Sequence, residues 1–205
     1  MKKLQKKPHL DLKEAVLMAF IDLVYEQGIE SITLQKVADR AAVAFGSVRY
    51  HYVEKENNLT DSAISYVYQS GYKFIESFSV EARKNPEFNP VKNYVEMMFA
   101  WIELYPAQAN MLMYYWYLCT GKNRTQLINS NYVDLAVQRI VSYIHEAIGK
   151  NIYSPTPSVQ TKAAKIHAAV MGTGIVAMTT RDYEAKKNMC LAMIEAIMKE
   201  ADVSN

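Results

Sequence analysis

Charge of one sign is almost missing from this chain: 23 Lys and Arg stand against 21 Asp and Glu over 205 residues, a formal net charge of +2. A balance this even says nothing for or against a polyanionic partner, so any basic surface has to be local. Cysteine is scarce as well. Cys119 and Cys190 are isolated, without a CxxC arrangement, and each lies in an apolar run. They read as buried free thiols in a reducing cytosol. Long apolar runs are missing too. No charge-free stretch approaches the ~18 apolar residues of a membrane span. The N-terminus has no signal-peptide core, because Lys2, Lys3, Lys6 and Lys7 lead straight into an amphipathic segment. A cytoplasmic protein that crosses no membrane is expected. Internal repeats and low-complexity tracts are absent from the sequence.

Motifs for chemistry are equally thin. His145–Glu146 is followed by Ala147 and Ile148 rather than completing HExxH or ExxH. Cys119 has no histidine nearby in sequence to activate it. The "GTG" at 172–174 follows no strand pattern and does not complete a dinucleotide fingerprint. No catalytic residue, metal site or cofactor is expected.

What the sequence does have is helical periodicity. Half of its residues are apolar, enough for a substantial core in one or two domains. Leu12, Val16, Ala19, Phe20, Leu23 and Val24 follow the three-and-four spacing of one buried helix face. Asp11 is placed to cap that helix and Gly28 to stop it as a left-handed residue. Thr33 is placed to cap a short second helix whose inner face is Leu34, Val37, Ala38 and Ala41. A third short helix follows a turn near Val43, with Val48 and Tyr52 facing inward. A fourth is expected over 55–78. After the break "KNPEFNP" (84–90), further helices are expected at 90–105, 106–120, 124–148, 159–180 and 183–202. The fold class is all-α: an N-terminal three-helix domain of helix-turn-helix pattern, then a larger helical bundle. The expected division is 1–56, with 1–10 a basic flexible tail, and 57–205.

The stretch "AAVAFGSVRYHYVEKENNL" (41–59) crowds Arg49, Tyr50, His51, Tyr52 and Lys55 into one short span. Two short helices joined by a tight turn and braced by a longer one make a helix-turn-helix, whose second helix fits the DNA major groove. With Val48 and Tyr52 turned inward, Phe45, Gly46, Ser47, Arg49, Tyr50 and His51 lie on or beside the outer face. Arg49 can present a bidentate fork to guanine, while Ser47, Tyr50 and His51 can donate to phosphate oxygens. Gly46 removes bulk where the backbone comes nearest to DNA. Lys55 sets a charge beside the free N–H groups of the next helix. From Thr33 to Lys55 the balance is +2, with Lys36, Arg40, Arg49 and Lys55 against Asp39 and Glu54. The four lysines of the first ten residues either follow the phosphate backbone or only solubilise the terminus.

The run "ITLQKVADRAAVAFGSVRYHYVEKENNL" (32–59) resembles the DNA-binding signature of the tetracycline-repressor (TetR) family, matching it at Thr33, Val37, Ala38, Ala41, Val43, Gly46, Ser47, Val48, His51, Lys55 and Leu59. Similarity in residue identity covers about 12–60; the body matches only in helix pattern and length. The resemblance implies phosphate contacts at Thr33, Ser47, Tyr50, His51 and Lys55. It implies base readers at Gln35, Gly46 and Arg49, and Lys36 completes the candidate set. Phe45 stands where the family often has a polar contact and would instead touch a thymine methyl. Four further positions depart from the pattern. Ala42 replaces a turn glycine, Ala44 a capping serine, Arg49 a common tyrosine, and Tyr52 a phenylalanine. These departures bear on operator sequence and local stability.

In the body, 95–121 is dense in methionine and aromatics. Consecutive rings cannot share one helix face, so some point outward or into a cavity. The region is either core or a pocket for an apolar or aromatic effector. Met97, Trp101, Tyr105, Met111, Tyr114 and Tyr115 are its candidate lining, and Glu103 would favour a cationic effector if it faced inward. The final two helices suit a homodimer interface, with His167, Met171, Met189, Met193 and Ile197 as candidates, or else form an internal pair. Together these features describe a ligand-responsive transcriptional regulator, a repressor by resemblance, that binds a palindromic double-stranded DNA operator as a homodimer. The alternatives are a helical enzyme, or a protein-interaction module that binds no operator.

Overall fold

A computed structural model describes residues 11–54, 58–85, 87–120 and 125–200. Among the described residues the chain is helical, with no strand. The helices are α1 (Leu12–Gln27), α2 (Leu34–Ala41), α3 (Phe45–Arg49), α4 (Leu59–Ala82), α5 (Pro90–Leu104), α6 (Pro106–Cys119), α7 (Thr125–Gly149), α8 (Val159–Thr180) and α9 (Tyr183–Lys199). This is the expected all-α architecture, and no described helix is long and apolar enough to cross a membrane.

Local chemistry explains most of the boundaries. The Asn89 side chain accepts hydrogen bonds from the Val91 and Lys92 N–H groups at 3.0 and 3.1 Å, and Pro90 fills the first helical position, where no N–H is needed. Pro106 opens α6 in the same way. Asn58 Oδ1 accepts from the Thr60 and Asp61 N–H groups, so α4 starts at Leu59 and runs to Ala82 rather than over the expected 55–78. Nothing in "SVEA" (79–82) opposes its continuation. Other ends differ from expectation. Asp11 makes no side-chain cap bond. Gly28 has φ 76° and ψ 153°, a region open essentially to glycine but not the left-handed helical one. It leads into a 3₁₀ turn over Ile29–Ser31 that periodicity did not reveal. α3 is followed by one turn of π-helix, Tyr50–Glu54. The last helix ends at Lys199, and positions 201 and 202 of its expected range lie outside the described residues.

One apolar core runs from the front of the chain into its body. Val16, Phe20 and Val24 of α1 pack with Val37 and Ala38 of α2, Val48 of α3, Ile64 and Val67 of α4, and Leu112 and Tyr115 of α6. Burying each large side chain contributes about 1.5–3 kcal/mol before entropy is counted. The front unit therefore rides on α4 and α6 through α1. A second core joins α5, α7, α8 and α9 through Val95, Phe99, Ile140, Ile144, Ile166 and Ile194. Cys119 and Cys190 are both buried as free thiols. Lys162 is also buried; its ammonium donates to the Met198 and Glu200 carbonyls at 3.2 and 2.9 Å. It thereby satisfies the carbonyl end of α9 with a cation, as the helix dipole favours.

Candidate nucleic-acid interface and interior cavity

The front unit begins with Thr33, whose hydroxyl accepts the Lys36 N–H at 3.2 Å and starts α2. The turn out of α2 closes through the Ala42 and Val43 N–H groups, bonded to Asp39 and Ala38 carbonyls. Ala42 sits at φ 55°, ψ 41°, the left-handed region where a side chain is strained. Ala44 starts α3 without a side-chain cap. Val48 is 0 % exposed and pins α3 to the core. That single anchor turns the rest of the helix outward. Phe45 is 39 % and Tyr50 47 % exposed, Arg49 is exposed, and a Cβ on Gly46 would meet nothing within 4 Å. Ser47, His51 and Tyr52 are half-buried. The Tyr50 and His51 rings meet edge-on at 5.3 Å.

On α2, Gln35 is exposed and donates to Asp39 Oδ1 at 2.8 Å. Lys36, expected at the DNA, is exposed and bonded within its own chain. Its ammonium donates to the Ser31 carbonyl at 2.8 Å and to Gln27 Oε1 at 3.1 Å, clamping the α1–α2 connection. Arg40 pairs through both terminal nitrogens with Glu26, tying α2 to α1 and holding the Glu26 carboxyl below its ordinary value. Lys55 and the N-terminal lysines lie outside the described residues.

Behind this unit the body encloses a cavity of about 270 Å³ walled by α4, α5, α6, α7 and α8. Its volume lies near the lower end of the ~300–1,000 Å³ of ordinary ligand pockets. Tyr68 stacks on Tyr132 with ring centroids 4.0 Å apart, and the Trp116 indole N–H donates to the Tyr68 hydroxyl at 3.3 Å. Burial pushes the Tyr68 hydroxyl pKa up to about 12. Tyr143 donates to Glu76 Oε1 at 2.7 Å. The Arg139 guanidinium lies 3.8 Å from the Tyr72 ring centroid. His167, half-buried, also reaches the wall; its Nδ1 has no hydrogen-bond partner among the described residues, and burial lowers its pKa.

The cavity takes in few of the residues expected there. Trp101 lines it, whereas Met97, Tyr105, Met111, Tyr114 and Tyr115 do not. Met111 and Tyr115 are fully buried in the core between α1 and α6, and Tyr114 packs on its edge. Tyr105 is 41 % exposed at the α5–α6 joint, and Met97 lies against the second core. The cavity-facing row of α5 is Tyr94, Met98 and Trp101, spaced four and three, which leaves Met97 on the adjoining face. Glu103 is exposed and absent from the wall. Two residues expected at a dimer interface, His167 and Met171, instead line the cavity with Ile175, each one turn from the next along α8. Ile197 is 8 % exposed inside the second core, while Met189 and Met193 are 43 % and 42 % exposed. The α4 and α7 contributions were not anticipated. A signal for them existed in Gly71, a helix-interior glycine among tyrosines; a Cβ there would come within 3.2 Å of the Trp101 ring.

No protein-family model and no curated protein matches the sequence. Solved structures do match. A TetR transcription regulator from Haloarcula marismortui superposes with a TM-score of 0.73 at 14 % identity, over 92 % of this chain and 96 % of its own. The fold is that of TetR-family regulators. A transcriptional regulator from Rhodococcus gives a TM-score of 0.71 at 19 % identity, covering 94 % of this chain and 99 % of that one. The multidrug binding protein EbrR, solved with imidazole, gives 0.64 at 13 % identity, covering 96 % and 99 %. At such identities the likeness is one of fold, so the side chains have to argue the function.

Proposed function

We propose that this chain is a cytoplasmic DNA-binding transcriptional regulator, acting as a repressor. Two copies set α3 into successive major grooves of a palindromic operator, and a small apolar or aromatic molecule entering the cavity releases it. Residues 1–56 read the DNA; 57–205 sense the effector and dimerise. The observation that carries the reading is the orientation of α3. Val48 is fully buried while Phe45, Gly46, Arg49 and Tyr50 are exposed. In this reading Arg49, Gln35 and Gly46 meet base edges, Phe45 a thymine methyl, and Thr33, Ser47, Tyr50, His51 and Lys55 the phosphates. Lys36 is reassigned to bracing α2.

The TetR-family fold supports the reading. So do the outward residues of α8 and α9, Ala168, Gly172, Val176, Met189 and Met193, which are small or apolar and would suit a twofold partner. The coupling runs through α4, which carries Tyr68 and Tyr72 on the cavity and begins immediately behind the DNA-reading unit. A ligand that favours a half-site separation unlike one DNA turn, about 34–36 Å, weakens operator binding.

Selection of DNA from a random pool with purified protein tests this. The expected product is a palindrome with half-sites about one turn apart, bound with an affinity that falls steeply as salt rises. A pool that stays random, or a contact indifferent to salt, would leave a protein-interaction module as the better account.

A further inference from the structure

We infer that the cavity between α4 and α8 selects a small carboxylate with an apolar or aromatic body, its carboxylate paired with Arg139. The inference rests on reading that cavity as the effector site and narrows the chemical class it accepts. Arg139 carries the one fixed charge among the described residues that line the cavity, and no Asp or Glu is among them. One face of its guanidinium is occupied by the Tyr72 ring at 3.8 Å. A planar guanidinium stacked in this way keeps its N–H edges available for the two oxygens of a carboxylate.

A carboxylate bonded to the cavity wall is already engaged. Glu76 accepts the Tyr143 hydroxyl at 2.7 Å and pairs with Arg83 at 3.5 Å. No ion pair of Arg139 occurs among the described residues. Its positive charge acts on the wall itself: burial raises the Tyr94 hydroxyl pKa, and the Arg139 charge opposes that rise. A half-buried cation among aromatic rings, with no ion pair among the described residues, is stabilised by an anionic guest and opposed by a cationic one. The rings of Tyr68 and Tyr132, with Trp101 and Trp116, give the guest's body an apolar setting in which an inorganic anion gains little. A volume of about 270 Å³, at the small end of ordinary ligand pockets, suits a guest such as a ring with a short acid arm.

The chain supplies its own reporter. It has two tryptophans, Trp101 and Trp116, and both line the cavity. Fluorescence of the intact protein is therefore titrated with 3-phenylpropanoate, 3-phenylpropanamide, 3-phenylpropylammonium and acetate. The carboxylate is expected to bind about tenfold or more tightly than the amide, as one charge-assisted pair contributes, with the ammonium and acetate weakest. Arg139→Met removes the preference for the carboxylate and keeps amide binding; Arg139→Lys keeps part of the preference. Far-UV circular dichroism confirms that each variant is folded, and the four-probe comparison on the unaltered protein stands without any variant.

Equal binding of amide and carboxylate, or a preference that survives in Arg139→Met, overturns the inference while leaving an effector site in place. Acetate binding as tightly as 3-phenylpropanoate overturns the requirement for an apolar body. A response to none of the four probes removes the effector-site reading together with this one.

Discussion

Val48 and Arg49 are adjacent, yet one is sealed in the core and the other is exposed on α3. The helix's 100° step per residue produces that contrast, and the proposed readout depends on it. Arg49→Ala removes nothing from the core. It should cost about 1–3 kcal/mol of operator affinity and relax preference at one base position per half-site, as measured by selection from random DNA. Selection identical to that of the unaltered protein would remove Arg49 from the readout. His167 poses a different question at the same scale. Burial lowers its pKa, so the unfolded chain binds the proton more readily than the folded one. Stability at this site is therefore complete above the ordinary histidine value of about 6.5 and is lost as pH falls below it. The urea midpoint should drop on going from pH 7 to pH 5, and the drop should be smaller in His167→Gln. Equal drops in both proteins would mean that His167 is as well solvated folded as unfolded.

At the scale of the element, the chain's punctuation was legible because each signal has a short-range cause. Thr33 and Asn89 cap, Pro90 and Pro106 start helices, and the observed boundaries of α5 to α8 fall within a residue or so of those expected. Where the cause was a competing local bond the reading slipped, as at Asn58, which sets the start of α4. The turn between α2 and α3 is the informative case. Alanine at position 42 departs from the TetR-like pattern, and the backbone there keeps the left-handed geometry at φ 55° rather than avoiding it. Left-handed geometry costs an ordinary L-residue about 1–2 kcal/mol, while glycine loses about 0.5–1 kcal/mol more on folding. Ala42→Gly should therefore stabilise the protein by up to about 1 kcal/mol, read as a higher urea midpoint with an unchanged slope. A lower midpoint would show that the strain is relieved by contacts of the Ala42 methyl.

At the scale of the whole molecule the sequence was least informative, and α8 shows why. Periodicity detects an apolar face but does not say which partner covers it, and a helix inside a bundle has more than one. His167, Met171 and Ile175 form one row and line the cavity. Ala168, Gly172 and Val176 form the next and face outward, continuous in character with Met189 and Met193 on α9. The same ambiguity put Met111 and Tyr115 of α6 into an expected pocket, when their row fills the core against α1. Rows of small and apolar side chains left outside a well-packed chain are what a twofold helix-pair interface requires. Gly172 offers the cleanest test, because a Cβ placed there meets nothing within 4 Å in its own chain. Gly172→Glu should therefore leave the single chain as stable as before, or slightly more so, given glycine's poor helix propensity. In a dimer closed through α8 and α9 the same glutamate is brought close to its own copy across the axis, two like charges in a dry contact. Sedimentation should then show monomers at concentrations where the unaltered protein is dimeric. Operator affinity should collapse towards that of a single half-site, because the second α3 is no longer delivered at a fixed spacing. A Gly172→Glu protein that remains dimeric and binds a full operator normally would mean that the two copies meet elsewhere.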